Sequence, residues 1–329
     1  MKIVVLAGGL SPERDVSLVS ASMIAKALIN QGNEVAVLDL YYGIDDAESL
    51  VFSSVSDDIK TCSVSETAPV RKRTDSVRSD IGSKVIECCK KADIVFLALH
   101  GDIGENGKVQ AVLDVNKIKY TGSGCDGCML SMDKNLSKIL VSAHNIKTPK
   151  WCVNIKDSSV SFPCVVKPSG GGSSIGVSVV NNFEELNRAM LTAAEYDTTV
   201  LIEEKINGRE FSVGVLNNKA LPIIGIAPKK GFYDYKNKYQ QGLTVETCPA
   251  NLPPYIAHEM QELAVKIHKI LHLRFYSRID FMMDRNNNIY FLEANSLPGM
   301  TPVSLLPQEA AADGIEYEEL CSLIVQGAF

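Results

Sequence analysis

The stretch that decides the fold lies near the C-terminus and reads Ser277-Arg278-Ile279-Asp280-Phe281-Met282-Met283-Asp284, then Arg285-Asn286-Asn287-Asn288, then Ile289-Tyr290-Phe291-Leu292-Glu293-Ala294-Asn295. Two such segments around an asparagine turn predict a β-hairpin, because asparagine tolerates the left-handed backbone angles of a two-residue loop. With residues 286–287 as that loop, Asp280 lies opposite Glu293 and Arg278 lies opposite Asn295. We therefore expect these four polar side chains on one face, with opposed Cβ atoms about 5 Å apart.

The polar face of this hairpin predicts a metal site. Two carboxylates and an amide form an oxygen-rich cluster, the preference of Mg²⁺ carrying the phosphates of a nucleotide. The other face, with Ile279, Phe281, Leu292 and Ala294, is expected to face a core. The alternative is an ordinary surface face of a half-buried hairpin. The turn at residues 296–301 favours the metal site, because it presents backbone N–H groups beside the acidic pair.

The composition is that of a globular protein with two or three domains. The chain has 329 residues, 46% hydrophobic and 22% charged, and its net charge of −6 argues against nucleic acid as a partner. No apolar run approaches the roughly 20 residues that span a bilayer, so no membrane partner is expected. The opening run at 2–7 is too short for a signal peptide. Nine scattered cysteines fit reduced thiols in a cytoplasmic enzyme.

Two strand ends in the first third carry candidate ligand-binding residues. The run at 2–7 predicts a buried parallel strand, and Glu13 follows it at the N-terminus of a helix. Such strand ends bind ligands in α/β sheets, although the G-x-G-x-x-G fingerprint is absent and compensation of the helix dipole explains Glu13 as well. His100 ends a strand at 93–99, and ligand binding and a structural role are equally supported. His268 and His272 are expected on a helix surface.

Three further features indicate a nucleotide. Lys134 lies in the first turn of a predicted helix at 131–144, where a cation is unfavourable unless an anion binds there. The strand ending at Lys167 leads into the glycines at 170–172, whose N–H groups can fold over a phosphate, with a flexible hairpin as the alternative. Glu203 and Glu210 flank an apolar patch suited to an adenine edge and a ribose.

Two loops stand out by composition. The segment 231–242 holds aromatic residues and lysines between glycines, which predicts a lid that closes over ligand. The segment 52–83 is rich in serine and charge, which predicts a long surface excursion.

Nine motifs follow one another in a characteristic order. They are Ser-Pro-Glu-Arg-Asp-Val-Ser at 11–17, Leu-His-Gly at 99–101, Thr-Gly-Ser-Gly at 121–124, Ser-Met-Asp-Lys at 131–134, Lys-Pro at 167–168 with Gly-Ser-Ser at 172–174, Phe-Tyr-Asp-Tyr at 232–235, Lys-Tyr at 238–239, Arg-Ile-Asp at 278–280, and Glu-Ala-Asn at 293–295 with Pro-Gly-Met-Thr at 298–301. Through these motifs the chain resembles the D-alanine–D-alanine ligases of the ATP-grasp superfamily, from residue 3 to about residue 307.

The resemblance implies an α/β three-domain ATP-grasp fold in which two subdomains clasp ATP. The expected units are an N-terminal Rossmann-like parallel-sheet domain at 1–122 with the 52–83 excursion, a central subdomain at 123–203 with the glycine-rich loop, and a C-terminal subdomain at 204–329 with the lid at 228–249 and the metal-binding hairpin. A homodimer in the cytoplasm is also implied.

The resemblance further implies roles for individual residues. ATP would be bound by Lys134, Lys167, Ser173, Ser174, Glu203, Glu204, Ile206, Glu210 and Lys238. One Mg²⁺, or Mn²⁺, would bind Asp280 and Glu293, and a second would bind Glu293 and Asn295. Glu13, Val16 and His100 would hold the first D-alanine, and Ser304 with the Leu305 N–H would hold the second. Arg278 and the Gly299 N–H would stabilise the oxyanion, while Ser173 and Tyr239 would link to Glu13 and latch the lid.

The implied reaction is ATP-dependent synthesis of D-alanyl-D-alanine, a peptidoglycan precursor, through D-alanyl phosphate. Two alternatives remain: a carboxylate–amine ligase of the same superfamily that acts on other amino acids, and, from another class of function, an ATP-binding regulatory protein without turnover. The pairs at 238–239 and 304–305 argue against the first. Arg278 and Gly299, which are useful only for an oxyanion, argue against the second.

Overall fold

Three β-sheets form the framework of the chain. The computed structural model describes residues 1–64, 79–153, 161–229 and 242–329. Within these ranges a parallel three-stranded sheet comes first, and antiparallel sheets of four and six strands follow it. The expected mixed α/β architecture, with a parallel sheet confined to the N-terminal part, is confirmed.

The first sheet places two candidate residues at one edge. Its parallel strands are Lys2–Ala7 in the centre and Glu34–Asp39 and Ile94–Leu97 on either side. The helices Arg14–Asn30, Val85–Cys89, Asp102–Glu105 and Lys108–Val115 accompany it. The central strand is apolar and buried from residue 3 to residue 7, as in sheets covered on both faces. Glu13 and His100 both lie beyond carboxyl ends of this sheet, where ligands bind in such folds.

The second sheet carries the glycine-rich loop. Its strands lie in the order Trp151–Cys152, Val200–Glu204, Cys164–Pro168 and Ser178–Val180. The helices Cys125–Met132 and Lys134–Ala143 precede it, and Phe183–Ala194 packs on it. Asp133 caps the second of these helices by accepting hydrogen bonds from the backbone N–H groups of Asn135 and Leu136. This cap starts the helix at Lys134 and confirms that the lysine lies in its first turn.

The third sheet carries the hairpin. Its strands are Gly208–Leu216, Lys219–Ala220, Ile224–Pro228, Thr244–Thr247, Tyr276–Asp284 and Ile289–Asn295. The two longest strands, 208–216 and 276–284, pair along their whole length at its centre. The helix Pro254–Ile270 covers the apolar face, where Phe211, Ile279 and Phe281 are buried. The opposite face is therefore left for polar side chains.

The last two helices return to the first sheet. Leu305–Ala312 and Tyr317–Gln326 contribute Leu306, Leu320 and Ile324 to the same core as Ile3 and Leu28. One apolar core thus joins the beginning of the chain to its last helices. The domain boundaries after 122 and after 203 stay a prediction.

The prediction of a two-residue loop in the hairpin is wrong. Asp284 and Asn288 close the turn, so three residues form it, and Asn287 takes the left-handed angle with φ 62°. The cause is the Asp284 carboxylate, whose Oδ1 accepts hydrogen bonds from the N–H groups of Asn286 at 2.8 Å and Asn288 at 2.9 Å. The register shifts by one residue after Asp280, so the second strand has a bulge at Leu292.

The bulge moves one side chain to the other face of the hairpin. Leu292 was expected in the core, but Phe291 takes that place and is fully buried there. Leu292 instead lines a cavity beside the polar face, together with Met282 of the facing strand. The core prediction for Leu292 is therefore wrong, because one extra residue inverts the alternation of side chains.

Two other predictions concern the pair His268 and His272 and the 52–83 segment. His268 is buried rather than exposed, with Nδ1 2.7 Å from Ser277 Oγ, whereas His272 is exposed and pairs with Asp126. The 52–83 segment pairs with the first sheet through a bridge from Ser53 to Val35 and with the chain after that strand through a bridge from Ser83 to Gly43. Residues 65–78 lie outside the described ranges.

Two features are absent from the described ranges. No helix there is long and apolar enough to cross a membrane. No group of three or more His, Cys, Asp or Glu side chains there is arranged to hold a metal ion. The predicted metal site differs from such a group because its third member is an asparagine.

Candidate active site

The polar face of the hairpin has the predicted pairing. Asp280 pairs with Glu293 and Arg278 pairs with Asn295. Arg278 donates from Nε and Nη2 to the two carboxylate oxygens of Asp280 at 2.9 and 2.8 Å. Asn295 Nδ2 donates to Asp280 Oδ2 at 3.0 Å, and Ser212 Oγ donates to Oδ1 at 2.9 Å. Four hydrogen bonds therefore fix the position of the Asp280 carboxylate.

The donor set of this face fits a hard divalent cation. Asp280 and Glu293 offer carboxylate oxygens, and Asn295 directs its amide nitrogen to Asp280, so its amide oxygen can serve as a ligand. With oxygen ligands and neither sulfur nor imidazole, the set is of the class that binds Mg²⁺ or Mn²⁺. Lys134 Nζ lies 3.4 Å from Glu293 Oε2 and adds positive charge beside the carboxylates. A bound divalent cation and Lys134 can thus contact phosphate oxygens together.

A cavity of about 250 Å³ extends from these carboxylates under the glycine-rich loop. Lys134 and Lys167 line it, and Lys134 Nζ donates to Gly171 O at 2.6 Å, which ties the loop to the helix. Ser173 and Ser174 have left-handed backbone angles, with φ 51° and 58°. Such angles are unfavourable for residues other than glycine and are typical of loops that bind ligands.

Seven of the predicted ATP-binding residues line this cavity: Lys134, Lys167, Ser174, Glu203, Glu204, Ile206 and Glu210. Its far end is apolar, with Val165, Val179, Met282 and Leu292 in the walls. Apolar walls with a few polar groups at the rim suit a planar base whose ribose and phosphates extend toward the metal site. The bulge at Leu292 therefore helps to build the apolar end of the cavity.

Glu203 has partners that the sequence did not predict. Glu203 is 2% exposed, and its carboxylate lies 2.9 Å from Lys167 Nζ and 3.0 Å from Lys138 Nζ. Burial alone favours the neutral acid, but the two lysines outweigh burial and lower the pKa of Glu203. Lys138 was missed, although its spacing of four residues from Lys134 places both lysines on one helix face.

The glycine-rich loop also contacts the first domain. Ser173 Oγ donates a short hydrogen bond to Glu13 Oε1, as the resemblance implied. A Cβ atom on Gly172 would lie 2.5 Å from Glu13 Oε2, closer than atoms can approach. Glycine therefore lets the loop approach Glu13 without displacing its carboxylate.

His100 and Glu105 connect the first domain to the turn after the hairpin. His100 Nδ1 lies 3.0 Å from Leu297 O, and burial lowers the pKa of His100, so the ring is neutral near pH 7. Glu105 accepts hydrogen bonds from the N–H groups of Gly101 at 2.7 Å and Leu297 at 3.2 Å. Burial, followed by the charge of Glu13, raises the pKa of Glu105 to about 7. Glu105 was missed, although it lies in the glycine-rich sequence at 101–107 that follows His100.

A second cavity, of about 190 Å³, lies beside the carboxyl end of the hairpin. Nine predicted residues line it: Glu13, Val16, His100, Ser173, Arg278, Asn295, Gly299, Ser304 and Leu305. Ser304 Oγ accepts a hydrogen bond from Thr301 N at 3.1 Å. Leu305 is the first residue of a helix, and its N–H has no partner within that helix. A hydroxyl beside a helix N-terminus is suited to a carboxylate.

Two further residues of this cavity were missed. Val64 lines it and belongs to the 52–83 segment, so this segment reaches the cavity. Glu246 also lines it, and its Oε2 accepts a hydrogen bond from Gln308 Nε2 at 2.7 Å. Neither residue had a neighbour in the sequence that indicated a site.

Lys238 and Tyr239 lie outside the described residues, as do residues 230–241 of the predicted lid. Their roles stay predictions. Every other predicted site residue lines one of the two cavities, and both cavities meet at the polar face of the hairpin.

Comparison with known proteins bears on the whole chain. A family model described as "D-ala D-ala ligase N-terminus" matches residues 2–123, and one described as "D-ala D-ala ligase C-terminus" matches residues 136–326. The chain is 44% identical to D-alanine–D-alanine ligase of Pediococcus pentosaceus, covering 99% of this chain and 97% of that protein. It is 42% identical to the ligase of Lacticaseibacillus casei, covering 99% and 95%.

Solved structures agree with this assignment. D-alanine–D-alanine ligase from Bacillus anthracis complexed with ATP superposes with a TM-score of 0.77 at 30% identity, covering 100% of this chain and 96% of that one. VanG D-Ala:D-Ser ligase from Enterococcus faecalis gives a TM-score of 0.77 at 26% identity, covering 100% and 99%. With both halves of the family model matched and relatives aligned over nearly their full length, the chain belongs to the D-alanine–D-alanine ligase family.

Proposed function

We propose that this chain joins two D-alanine molecules at the expense of ATP, forming D-alanyl-D-alanine, ADP and phosphate. One observation carries the proposal: the cavity suited to a nucleotide and the cavity with the amino-acid residues open on the same hairpin face. Asp280 and Glu293 line the first, and Arg278 and Asn295 line the second. A phosphoryl group and a carboxylate can therefore meet there.

The nucleotide is held along the first cavity. Its base lies between the apolar walls, with Glu203 and Glu204 at the base and Glu210 at the ribose. Lys134 and Lys167 neutralise the phosphates, and the Ser174 backbone lies over them. Asp280, Glu293 and Asn295 would hold two divalent cations, whose positive charge would stabilise the transferring phosphoryl group. Mg²⁺ is the proposed metal and Mn²⁺ a replacement.

The first D-alanine binds in the second cavity. Glu13 takes its ammonium group, and Val16 and His100 lie against it. Its carboxylate attacks the γ-phosphate of ATP, which breaks the bond to the β-phosphate oxygen, releases ADP and leaves D-alanyl phosphate. The protein contributes positioning and charge neutralisation to this step. The Ser173 bond to Glu13 keeps the phosphate loop against the substrate.

The second D-alanine is placed by the helix that begins at Leu305. Ser304 Oγ and the Leu305 N–H hold its carboxylate, and its amine attacks the acyl carbon of D-alanyl phosphate. Arg278 and the Gly299 N–H stabilise the oxyanion of the tetrahedral intermediate, and phosphate leaves. Exclusion of water protects the acyl phosphate until the amine attacks.

The test is phosphate release from ATP and Mg²⁺ with a panel of D- and L-amino acids and D-lactate. We expect release with D-alanine, D-alanyl-D-alanine as the product, and D-lactate as a poor acceptor even at pH 6. The last expectation rests on Tyr239, a neutral residue that does not repel an ammonium group as a protonated histidine would. Comparable rates with D-lactate and D-alanine at pH 6 would refute that role of Tyr239. Absence of release with every D-amino acid would refute the ligase.

D-serine belongs in the panel because VanG, a D-Ala:D-Ser ligase, has a similar fold. The relatives with the higher identities are D-alanine–D-alanine ligases, which supports D-alanine as the acceptor. The product supplies peptidoglycan synthesis and so supports cell-wall biogenesis and cell shape. We place the enzyme in the cytoplasm, where ATP is available, as a homodimer that needs neither nucleic acid nor membrane.

A further inference from the structure

Lys138 is a buried charge to which the proposed mechanism gives no role. Its side chain has no exposure and lies behind Glu203, so the carboxylate separates it from the nucleotide cavity. Nζ donates to Thr148 Oγ1 at 2.7 Å and lies 5.0 Å from the centre of the Trp151 ring. Lysine is almost never fully buried unless it is paired, so a position of this kind calls for a reason.

The charges around Glu203 do not balance. One carboxylate faces two lysines, with Lys167 at 2.9 Å and Lys138 at 3.0 Å. A single lysine would neutralise Glu203, and a second buried ammonium only adds a desolvation penalty. The two lysines differ in one respect: Lys167 lines the cavity and can turn to a phosphate, whereas Lys138 cannot reach it.

We propose that Lys138 is a positioning residue for base recognition, which keeps Glu203 in place as an acceptor when nucleotide binding draws Lys167 to the phosphates. This inference rests on the proposed use of ATP. The amino group of adenine donates a hydrogen bond and is matched by a carboxylate. Guanine has a carbonyl oxygen at the same ring position, which a carboxylate would repel. Lys138 thereby contributes to the preference for adenine nucleotides.

A second contact supports this role. Thr148, which accepts the hydrogen bond from Lys138, donates through Oγ1 to Phe291 O at 2.9 Å. Phe291 precedes Leu292, the bulge residue that lines the apolar end of the nucleotide cavity. Lys138 therefore connects the carboxylate that would read the edge of the base to the strand that packs on its face. Burial lowers the pKa of Lys138 to about 8 while Glu203 opposes this shift, so the ammonium persists at neutral pH.

The experiment compares Lys138→Met with Lys147→Met in the full-length protein. Lys147 is the matched control, because its Nζ donates to Asn288 Oδ1 at 2.6 Å and joins the same segment to the hairpin away from Glu203. Affinities for ADP and GDP are measured by calorimetry. We expect Lys138→Met to bind ADP at least tenfold more weakly and to lose most of its preference for ADP over GDP. The KM for D-alanine should change less than twofold, and Lys147→Met should match the wild type.

An equal loss for ADP and GDP, or an unchanged ADP affinity, would overturn the inference. If Lys138→Met does not fold, a double variant tests the inference instead. Lys138→Met/Glu203→Gln should fold, because replacing Glu203 as well leaves no unpaired carboxylate. If Lys138 acts only through Glu203, removing it should have little effect once Glu203 is already replaced, because the effects of coupled residues are not additive. The inference therefore requires the ADP affinity of the double variant to lie within about threefold of that of Glu203→Gln. A larger loss would show that Lys138 acts by another route. A wild type that binds ADP but forms no dipeptide refutes the ligase function and leaves this test intact.

Discussion

Arg278→Lys tests the proposed oxyanion site while keeping a positive charge in place. The two hydrogen bonds from Arg278 to Asp280, at 2.9 and 2.8 Å, exist before substrate binds. Interactions that are equal in the ground state and the transition state do not change the rate. The remaining guanidinium donors, which our proposal assigns to the oxyanion, are therefore the ones that matter for kcat.

The size of the effect follows from the geometry. Lysine offers three donors on one nitrogen, so it cannot serve both oxygens of Asp280 and the oxyanion as the planar fork of Arg278 does. Loss of one oxyanion donor lowers kcat by about 100- to 1000-fold, or about 2.7–4 kcal/mol. Loss of one charge-assisted hydrogen bond to Asp280 should cost about 1.5–3 kcal/mol of folding stability.

The assay is coupled release of ADP at saturating ATP and D-alanine, with thermal unfolding measured in parallel. We expect kcat to fall at least 100-fold while the KM for ATP changes less than about threefold. Arg209→Lys is the control, because Arg209 is an exposed arginine on the neighbouring strand that donates to Asn251 O at 3.2 Å. A kcat within tenfold of the wild type would refute the assignment of Arg278 to the oxyanion.

Three further variants test separate parts of the site and the core. Glu293→Ala removes the ligand proposed for both metal ions and should abolish ATP-dependent phosphate release. The melting temperature should change by no more than a few degrees. Turnover by the folded variant would contradict the metal site. Gly172→Ala puts a Cβ atom 2.5 Å from Glu13 Oε2, so the Glu13 carboxylate or the loop must shift, and kcat/KM for D-alanine should fall about 100-fold. Gly225→Ala, whose Cβ would have no neighbour closer than 3.5 Å, should be near normal, and similar kinetics for both variants would disprove the steric argument. His268→Gln tests pH dependence, because burial lowers the pKa of His268 in the folded protein to about 4. Between pH 6.5 and pH 4 the imidazole therefore binds a proton in the unfolded chain but not in the folded one. The stability of the wild type falls in that range by about 3 kcal/mol. Urea unfolding at pH 4.5 and 7.5 should show a smaller acid loss for His268→Gln, and an equal loss would count against this source of acid sensitivity.

The metal face could be predicted from the sequence because its determinants are local. Alternation along two strands and the count across the turn place Asp280 opposite Glu293, and the structure has that pair. The loop itself could not be predicted by counting, since Asp284 captures two backbone N–H groups with its side chain. The pairing at the polar end is nevertheless as predicted, because the bulge at Leu292 offsets the extra loop residue.

The charges behind the cavity wall could not be predicted in the same way. Glu203 and Lys138 are 65 positions apart and meet only when the helix that starts at Lys134 packs beside the second sheet. A pattern within one element cannot reveal such a contact. Glu246 and Val64 enter the second cavity from two other parts of the chain for the same reason.

The return of the last helices to the first sheet has a consequence for folding during synthesis. The strand Lys2–Ala7 leaves the ribosome long before the last two helices, yet its core includes Leu306, Leu320 and Ile324. Until those residues are translated, the N-terminal sheet emerges with part of its apolar surface exposed to solvent. Domains that fold as they are made bury such surface early, whereas this one must wait for the two helices that complete its core. The nascent protein is therefore exposed to aggregation and proteolysis until the helices Leu305–Ala312 and Tyr317–Gln326 have left the ribosome.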